Sequence, residues 1–324
     1  MLARIPGVGM KSVAKILMAR KYRRLNWDHL KKIGIAFNRA QYFLVCDSNQ
    51  FEKVRINGKS IIEQPTHFYH KGILKIKSNT NAGIQITHQL FPSTDALVFI
   101  DKVTILNPLN TSVEVTIPNI NSTHTTDAKK GVKGAYVINA KSNKKGSFII
   151  SPNETIEYAI IYSARQKDED EQYISADFEF NKRVDFIDKT LSNLVLETPD
   201  KTLNTAFAFA KIRAVESIFK TKGGLMHAPG GSRYYAAIWA NDQAEYANPF
   251  FPFLGNHAGN ESAINSFRHF AKYTNDAYKP IPSSIIAEGL DYWNGAGDRG
   301  DMAMIAYGAS RFALAYGDKS TAKE

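Results

Sequence analysis

Two short stretches near the C-terminal end hold the residues best suited to chemistry. In Ile238-Trp239-Ala240-Asn241-Asp242-Gln243-Ala244-Glu245 a carboxylate stands three residues after a tryptophan, and Glu245 follows it by one helical turn. Between Ile286 and Asp301 the chain crowds Glu288, Asp291, Asp298 and Asp301 together with Arg299, Tyr292 and Trp293. Sugars are bound by such sets. Aromatic faces stack on the C–H faces of the ring, while carboxylates and a guanidinium take the hydroxyls. Glycosidic cleavage needs one carboxylic acid to protonate the leaving oxygen and a second carboxylate to activate water. The same residues have plainer uses. Asp242 can cap a helix, Asp298 or Asp301 can cap the next one, and the tryptophans can be core aromatics.

These stretches need helices to hold them. Asp200 is suited to cap a helix over residues 201–219, with Leu203, Phe207, Ala210, Ala214 and Ile218 on one face. Further helices are expected over residues 242–248, 261–273 and 301–316, and function-bearing loops over 223–231, 234–245 and 281–301. Upstream the pattern changes to short alternating runs: 54–62, with Asn57-Gly58 suited to a type I′ turn, then 73–77, 84–90, 97–106, 112–117, 135–138 and 155–162. Turn-rich residues 78–81 and 119–130 separate some of them, which points to an antiparallel sandwich. His67, His70 and His88 fit no metal-ligand spacing and read as surface or strand histidines. Polar residues 166–172 close this region, and 175–194 reads as a connecting helix.

The composition, 44% hydrophobic and 22% charged, is that of a globular protein. Cys46 is the single cysteine, so there is no internal disulfide and no thiolate zinc cluster. No apolar run is long enough to span a membrane, and Met-Leu-Ala-Arg-Ile-Pro-Gly-Val-Gly lacks the apolar stretch of a signal peptide. The net charge of +10 is concentrated: residues 1–45 oppose ten basic residues to Asp28, leaving the rest nearly neutral. Gly7 and Gly9 precede a helix expected over 11–20, carrying Val13, Ile16 and Leu17 on its apolar side, and a second helix is expected over 27–37. Exposed backbone N–H groups at Gly7 and Gly9, with Lys11 and Lys15 beside them, suit phosphate binding without sequence specificity.

Ile5-Pro6-Gly7-Val8-Gly9 resembles the helix-hairpin-helix element of DNA-binding proteins. The segment through Phe37-Asn38-Arg39-Ala40-Gln41-Tyr42-Phe43 resembles the C-terminal tail of radical-SAM DNA-modification proteins, without the cysteine triplet that would bind their cluster. Residues 50–324 resemble the front portion of bacterial six-hairpin, (α/α)6-toroid glycosidases, whose relatives include α-L-rhamnosidases and the processing-glucosidase group. The resemblance is carried by residues 221–231, 239–252, 279–288 and 294–301 and by a β-sandwich preceding helices. It implies Asp242 as general acid, with Glu245 as the second candidate. It also implies Trp239, Arg233, Glu288, Trp293, Asp298, Arg299 and Asp301 as sugar contacts. In that family the catalytic base lies in the later half of the barrel. About four barrel helices are read here where twelve are needed. The resemblance therefore implies a fused or truncated chain whose open core exposes Ile305, Ala309, Phe312 and Leu314.

The expected fold class is multidomain α+β: a basic helix-hairpin-helix-like segment (1–46), a β-sandwich (47–170), a connecting helix or linker (171–200) and the first part of a toroid (201–324). The expected function is that of an inverting glycoside hydrolase acting on oligo- or polysaccharide, with little activity as a fragment. The alternatives are a non-specific DNA-binding module through residues 1–45 and a non-catalytic carbohydrate-binding remnant. The expected partners are a carbohydrate and, through residues 1–45, nucleic acid. No cofactor, metal or membrane is expected. The resembled family is generally exported.

Overall fold

In the computed structural model the described residues are 10–20, 27–33, 53–129, 133–221, 223–228, 237–286, 291–293 and 300–323. The chain divides into two compact units, Met1–Asp185 and Phe186–Glu324. The first begins with helices α1 (Met10–Arg20) and α2 (Trp27–Ile33), which touch each other and bury Ile16 and Leu30. Gly7, Gly9 and the 21–26 connection fall outside the described residues, and so does the Lys11 side chain. Lys15 is exposed.

Asn57 and Gly58 both take positive φ (48° and 69°), as a type I′ turn requires. They join β1 (Arg55–Ile56) to β2 (Lys59–Ser60), with Arg55 opposite Ser60. The strands that follow are β3 (Glu63–His70), β4 (Leu74–Thr80), β5 (Gln85–Pro92), β6 (Val98–Leu106), β7 (Val113–Ile117), β8 (Asn121–Thr125), β9 (Tyr136–Ser142), β10 (Gly146–Ile150) and β11 (Thr155–Gln166). They form a four-stranded sheet, β10-β7-β1-β2, and a seven-stranded sheet, β3-β4-β5-β6-β11-β9-β8. Every pairing is antiparallel.

The long central strands change the face they bury along their length. Val103, Ile105 and Tyr158 point into a cluster with Ile56, Val113, Val115, Ile117 and Ile150 of the smaller sheet. Val98, Ile100 and Ala159 have the opposite parity. They bury the other face with Phe91 and with Ala176 of helix α3 (Ala176–Ser192). Phe180 of that helix sits edge-on to Phe91, ring centres 5.5 Å apart.

Three strands of this unit were not expected. In β3 every residue is exposed, and its register shifts between Pro65 and His67, where proline cannot donate to the ladder. β8, Asn-Ser-Thr-His-Thr, is a wholly exposed edge within a stretch read as turn-rich. β10 was likewise unassigned, having only Ile150 fully buried.

The second unit contains α4 (Lys201–Glu216), hairpin strands β12 (Ile218–Thr221) and β13 (Gly224–His227), and β14 (Ala237–Trp239). It continues with a short α5 (Ala240–Asp242), a π-helical turn Gln243–Ala247, α6 (Asn248–Leu254) and α7 (His257–Ala271). Strands β15 (Ser284–Ile286) and β16 (Asp291–Trp293), α8 (Asp301–Tyr316) and a final 3-10 turn, Thr321–Lys323, complete it. Asp200 caps α4 as expected, accepting from the backbone N–H of Thr202 at 2.8 Å and of Leu203 at 3.4 Å.

The buried stripe of α4 differs from the expected one. It is Lys211, Ile212 and Val215, while Leu203 is 50% exposed. Lys211 is tolerated inside because its ammonium donates to the carbonyls of Leu191 (2.9 Å), Asn193 (2.6 Å) and Leu194 (3.2 Å), closing the C-terminal end of α3. Residues 223–231 were expected to be a loop, but the six described positions, 223–228, belong to the β12–β13 hairpin and its exit. Phe312, expected exposed, is 2% exposed in a cluster with Val215, Phe251, Leu254 and Ala263, whereas Leu314 is 85% exposed. No described helix is long and apolar enough to cross a membrane.

Candidate active site

The site grows from a three-stranded sheet. Trp239 lies opposite Ser284 of β15, which lies opposite Trp293 of β16, so the two tryptophan positions flank a small residue in one row. Ile238, Ala240 and Ile285 anchor this sheet in a core with Met226, Phe270 and Ile281. The Ala240 N–H donates to the Ser283 carbonyl at 3.0 Å, which fixes where the chain leaves the strand and turns into α5.

Trp239 occupies the N-cap position in extended conformation, and neither it nor Asp242 makes a side-chain capping bond. Asp242 is therefore not a helix cap. The turn widens from Gln243 to Ala247, burying Gln243, Ala244 and Ala247 and leaving Glu245 and Tyr246 exposed. Such π turns insert one residue and recur at functional sites. Here α8 presses against the turn: a Cβ on Gly308 would come within 2.5 Å of the Ala244 Cα.

The Tyr246 hydroxyl donates a hydrogen bond to Asp242 Oδ1. Burial, that hydrogen bond and the charges of Asp242 and Glu245 all push the Tyr246 phenol up from its usual range. His227, at the end of β13, is 4% exposed and lies edge-on to the Phe251 ring. Burial lowers its imidazole to about 4, although the Asp242 charge pulls the other way, so it is neutral near pH 7. The Gln243 side-chain amide donates to the His227 carbonyl at 2.8 Å and approaches Nδ1 at 3.5 Å. A half-buried carboxylate thus stands with a phenol donor on one side and a neutral imidazole nearby.

Asn241 Oδ1, Gln243 Oε1, Asn248 Oδ1, Ser283 Oγ and Ser284 Oγ are buried without a hydrogen-bond partner among the described residues. Native cores leave few such atoms, and residues 229–236 and 287–290, which adjoin these strands in sequence, fall outside the described residues.

Glu245 is exposed, and its carbonyl accepts from Arg311 Nη1 of α8 at 2.8 Å. Asp301 is the first residue of α8, buried behind Gly300, which itself takes the N-cap position with φ 76°. Arg233, Glu288, Asp298 and Arg299 lie outside the described residues. His227, Gln243 and Tyr246 were not among the expected site residues. The four-residue spacing of Asp242 and Tyr246 was the available signal for one of them. Among the described residues no group of three or more His, Cys, Asp or Glu is arranged to hold a metal ion.

No protein-family profile and no curated protein matches the chain. Among solved structures it is similar to a protein described as a kojibiose phosphorylase from the human microbiome. The TM-score is 0.57 at 10% identity, over 83% of this chain and 47% of that one. A weaker likeness, with TM-score 0.37 and 14% identity, is to a bacterial glucoamylase complexed with acarbose, over 75% of this chain and 48% of that one. The chain spans about half the length of these two proteins. The fold, mixed α+β with large antiparallel sheets followed by helices, is like that of the first of these two proteins.

Proposed function

We propose that the second unit carries the proton-donor side of a glycosidic-bond-cleaving site of inverting type, set in the first hairpins of an (α/α) toroid. The observation that carries this is the placement of Asp242. It is half-buried at a strand-to-helix turn, beside the Trp239–Ser284–Trp293 row, with one oxygen held by Tyr246. The likeness in fold to a protein named for acting on kojibiose supports a saccharide as ligand. Asp242 protonates the leaving oxygen, and Glu245 is the second candidate for that role. Trp239 offers an aromatic surface to a sugar ring. Trp293, Arg233, Glu288, Asp298, Arg299 and Asp301 complete the proposed sugar-contacting set. Activation of water on the opposite face falls to a carboxylate beyond this set.

The test uses the purified full chain with kojibiose, with and without inorganic phosphate, following released glucose and its anomeric configuration by NMR and binding by calorimetry. The expected result is kojibiose binding, with any cleavage inverting and reduced about 10²-fold or more in Asp242→Asn. Absence of both binding and cleavage contradicts the proposal, as does cleavage that survives Asp242→Asn unchanged.

A second reading concerns residues 1–45 alone and is favoured by their net charge of +9 and by exposed Lys15, Lys31 and Lys32. Phosphate contacts by this segment predict DNA binding that weakens steeply with salt and vanishes when residues 1–45 are removed. Binding that survives the deletion contradicts it.

A further inference from the structure

We infer that Tyr246 is a positioning residue for Asp242: its hydroxyl fixes one carboxylate oxygen so that the other is presented to the bound saccharide. This rests on the saccharide-cleaving reading above and deepens it. Tyr246 has no other evident reason for its orientation. The residue is 53% exposed, and its ring makes no aromatic contact among the described residues. A tyrosine kept for packing buries its ring and leaves its hydroxyl to find water. Tyr246 does the reverse, leaving the ring open and committing the hydroxyl to a neighbouring carboxylate. That hydrogen bond ties the Tyr246 hydroxyl to the Asp242 carboxyl group in place of solvent.

The scaffold beneath this pair is rigid. Gln243, Ala244 and Ala247 are buried on the inner side of the turn, and Gly308 of α8 abuts Ala244. Asp242 and Tyr246 therefore project from one fixed segment, and the hydrogen bond removes the remaining rotational freedom of the carboxylate. Positioning of this kind raises the effectiveness of a reacting group without adding a contact to the substrate. The described titratable groups around the pair are His227 of β13, Glu245 on the same turn and Arg311 of α8. The Glu245 charge acts on Tyr246, and the Asp242 charge acts on His227. Arg311 is engaged by the Glu245 carbonyl.

The full chain, labelled with ¹³C at tyrosine Cζ, tests the pair directly, with the Tyr246 signal assigned by its loss in Tyr246→Phe. In the parent this signal is expected not to titrate below about pH 11. In Asp242→Asn its midpoint is expected to fall toward the ordinary tyrosine value of about 10. Kojibiose affinity provides the second readout. Tyr246→Phe is expected to weaken it about five-fold. The double variant is expected to bind no worse than Asp242→Asn alone, as for two residues acting through one group. Identical Tyr246 titration in the parent and in Asp242→Asn overturns the inference. So does parental kojibiose affinity in Tyr246→Phe. If the parent binds no kojibiose, the saccharide reading fails by itself, and the tyrosine titration alone decides whether Tyr246 holds Asp242.

Discussion

His88 in the sandwich and His227 in the helical unit are both largely buried, yet their surroundings drive them in opposite directions. His88 Nδ1 lies 3.0 Å from Asp101 and its Nε2 3.1 Å from Glu63. Burial is the largest single influence on it and acts to lower its pKa. The hydrogen bonds and charges of the two carboxylates together outweigh burial and push it up to about 10. His227 has Phe251 against its ring and no carboxylate bonded to it among the described residues, and burial takes it down to about 4. The first unit pairs much of its charge internally, although Arg165 Nε and Glu179 Oε2 are buried without a hydrogen-bond partner among the described residues. Lys102 pairs with Glu157 and Asp177, and Lys141 with Glu171. The helical unit keeps a neutral imidazole and an Asp242 without an ion pair among the described residues, beside several unsatisfied buried oxygens. A polar group whose needs are met stabilises a fold, and one whose needs are unmet is available to a ligand.

The largest expected effects separate the two histidines by pH. A histidine raised to about 10 contributes stability that is fully present below about pH 6.5 and is lost as the pH rises through 10. His88→Gln is therefore expected to lower stability at pH 6 on the order of a few kcal/mol and to flatten its alkaline decline. A histidine lowered to about 4 contributes in the other sense: its stability is present above about pH 6.5 and is lost as the pH falls through 4. His227→Gln is expected to flatten the acid decline and leave the alkaline limb alone. Urea denaturation from pH 4 to 10 reads both, and two variants with the same pH response would erase the contrast.

A smaller effect is expected at Gly308→Ala. The added methyl meets the Ala244 backbone at 2.5 Å, and neither helix can yield without moving the π turn. The expected cost is about 1–3 kcal/mol, together with loss of the Tyr246–Asp242 signature in the tyrosine titration. Parental stability would mean that the turn is not clamped by α8. The smallest is Asp200→Ala, which removes the α4 cap for about 1 kcal/mol and leaves kojibiose binding unchanged. Thermal unfolding and calorimetry check it.

What could be read in advance follows from where side-chain periodicity meets burial. The Asn57-Gly58 hairpin, β5, β6 and β11 announce themselves because one face of each half-strand is apolar. β3 and β8 do not, because both are sheet edges exposed on every residue, so no burial pattern is written into them. The face of α4 was misassigned because Lys211 looks like a surface residue until three carbonyls are placed around its ammonium. At the site, Trp239 and Asp242 stood out by type and spacing. Tyr246 did not, because its role depends on where a hydroxyl points. His227 did not stand out either, because its surroundings include Phe251, distant in sequence.

The most direct test of the difference between the two units is kojibiose titrated into the ¹⁵N-labelled full chain, followed amide by amide. The account predicts shifts concentrated at residues 239–246 and 284–293, with the sandwich silent. Shifts confined to the sandwich, or none at saturating kojibiose, would contradict it.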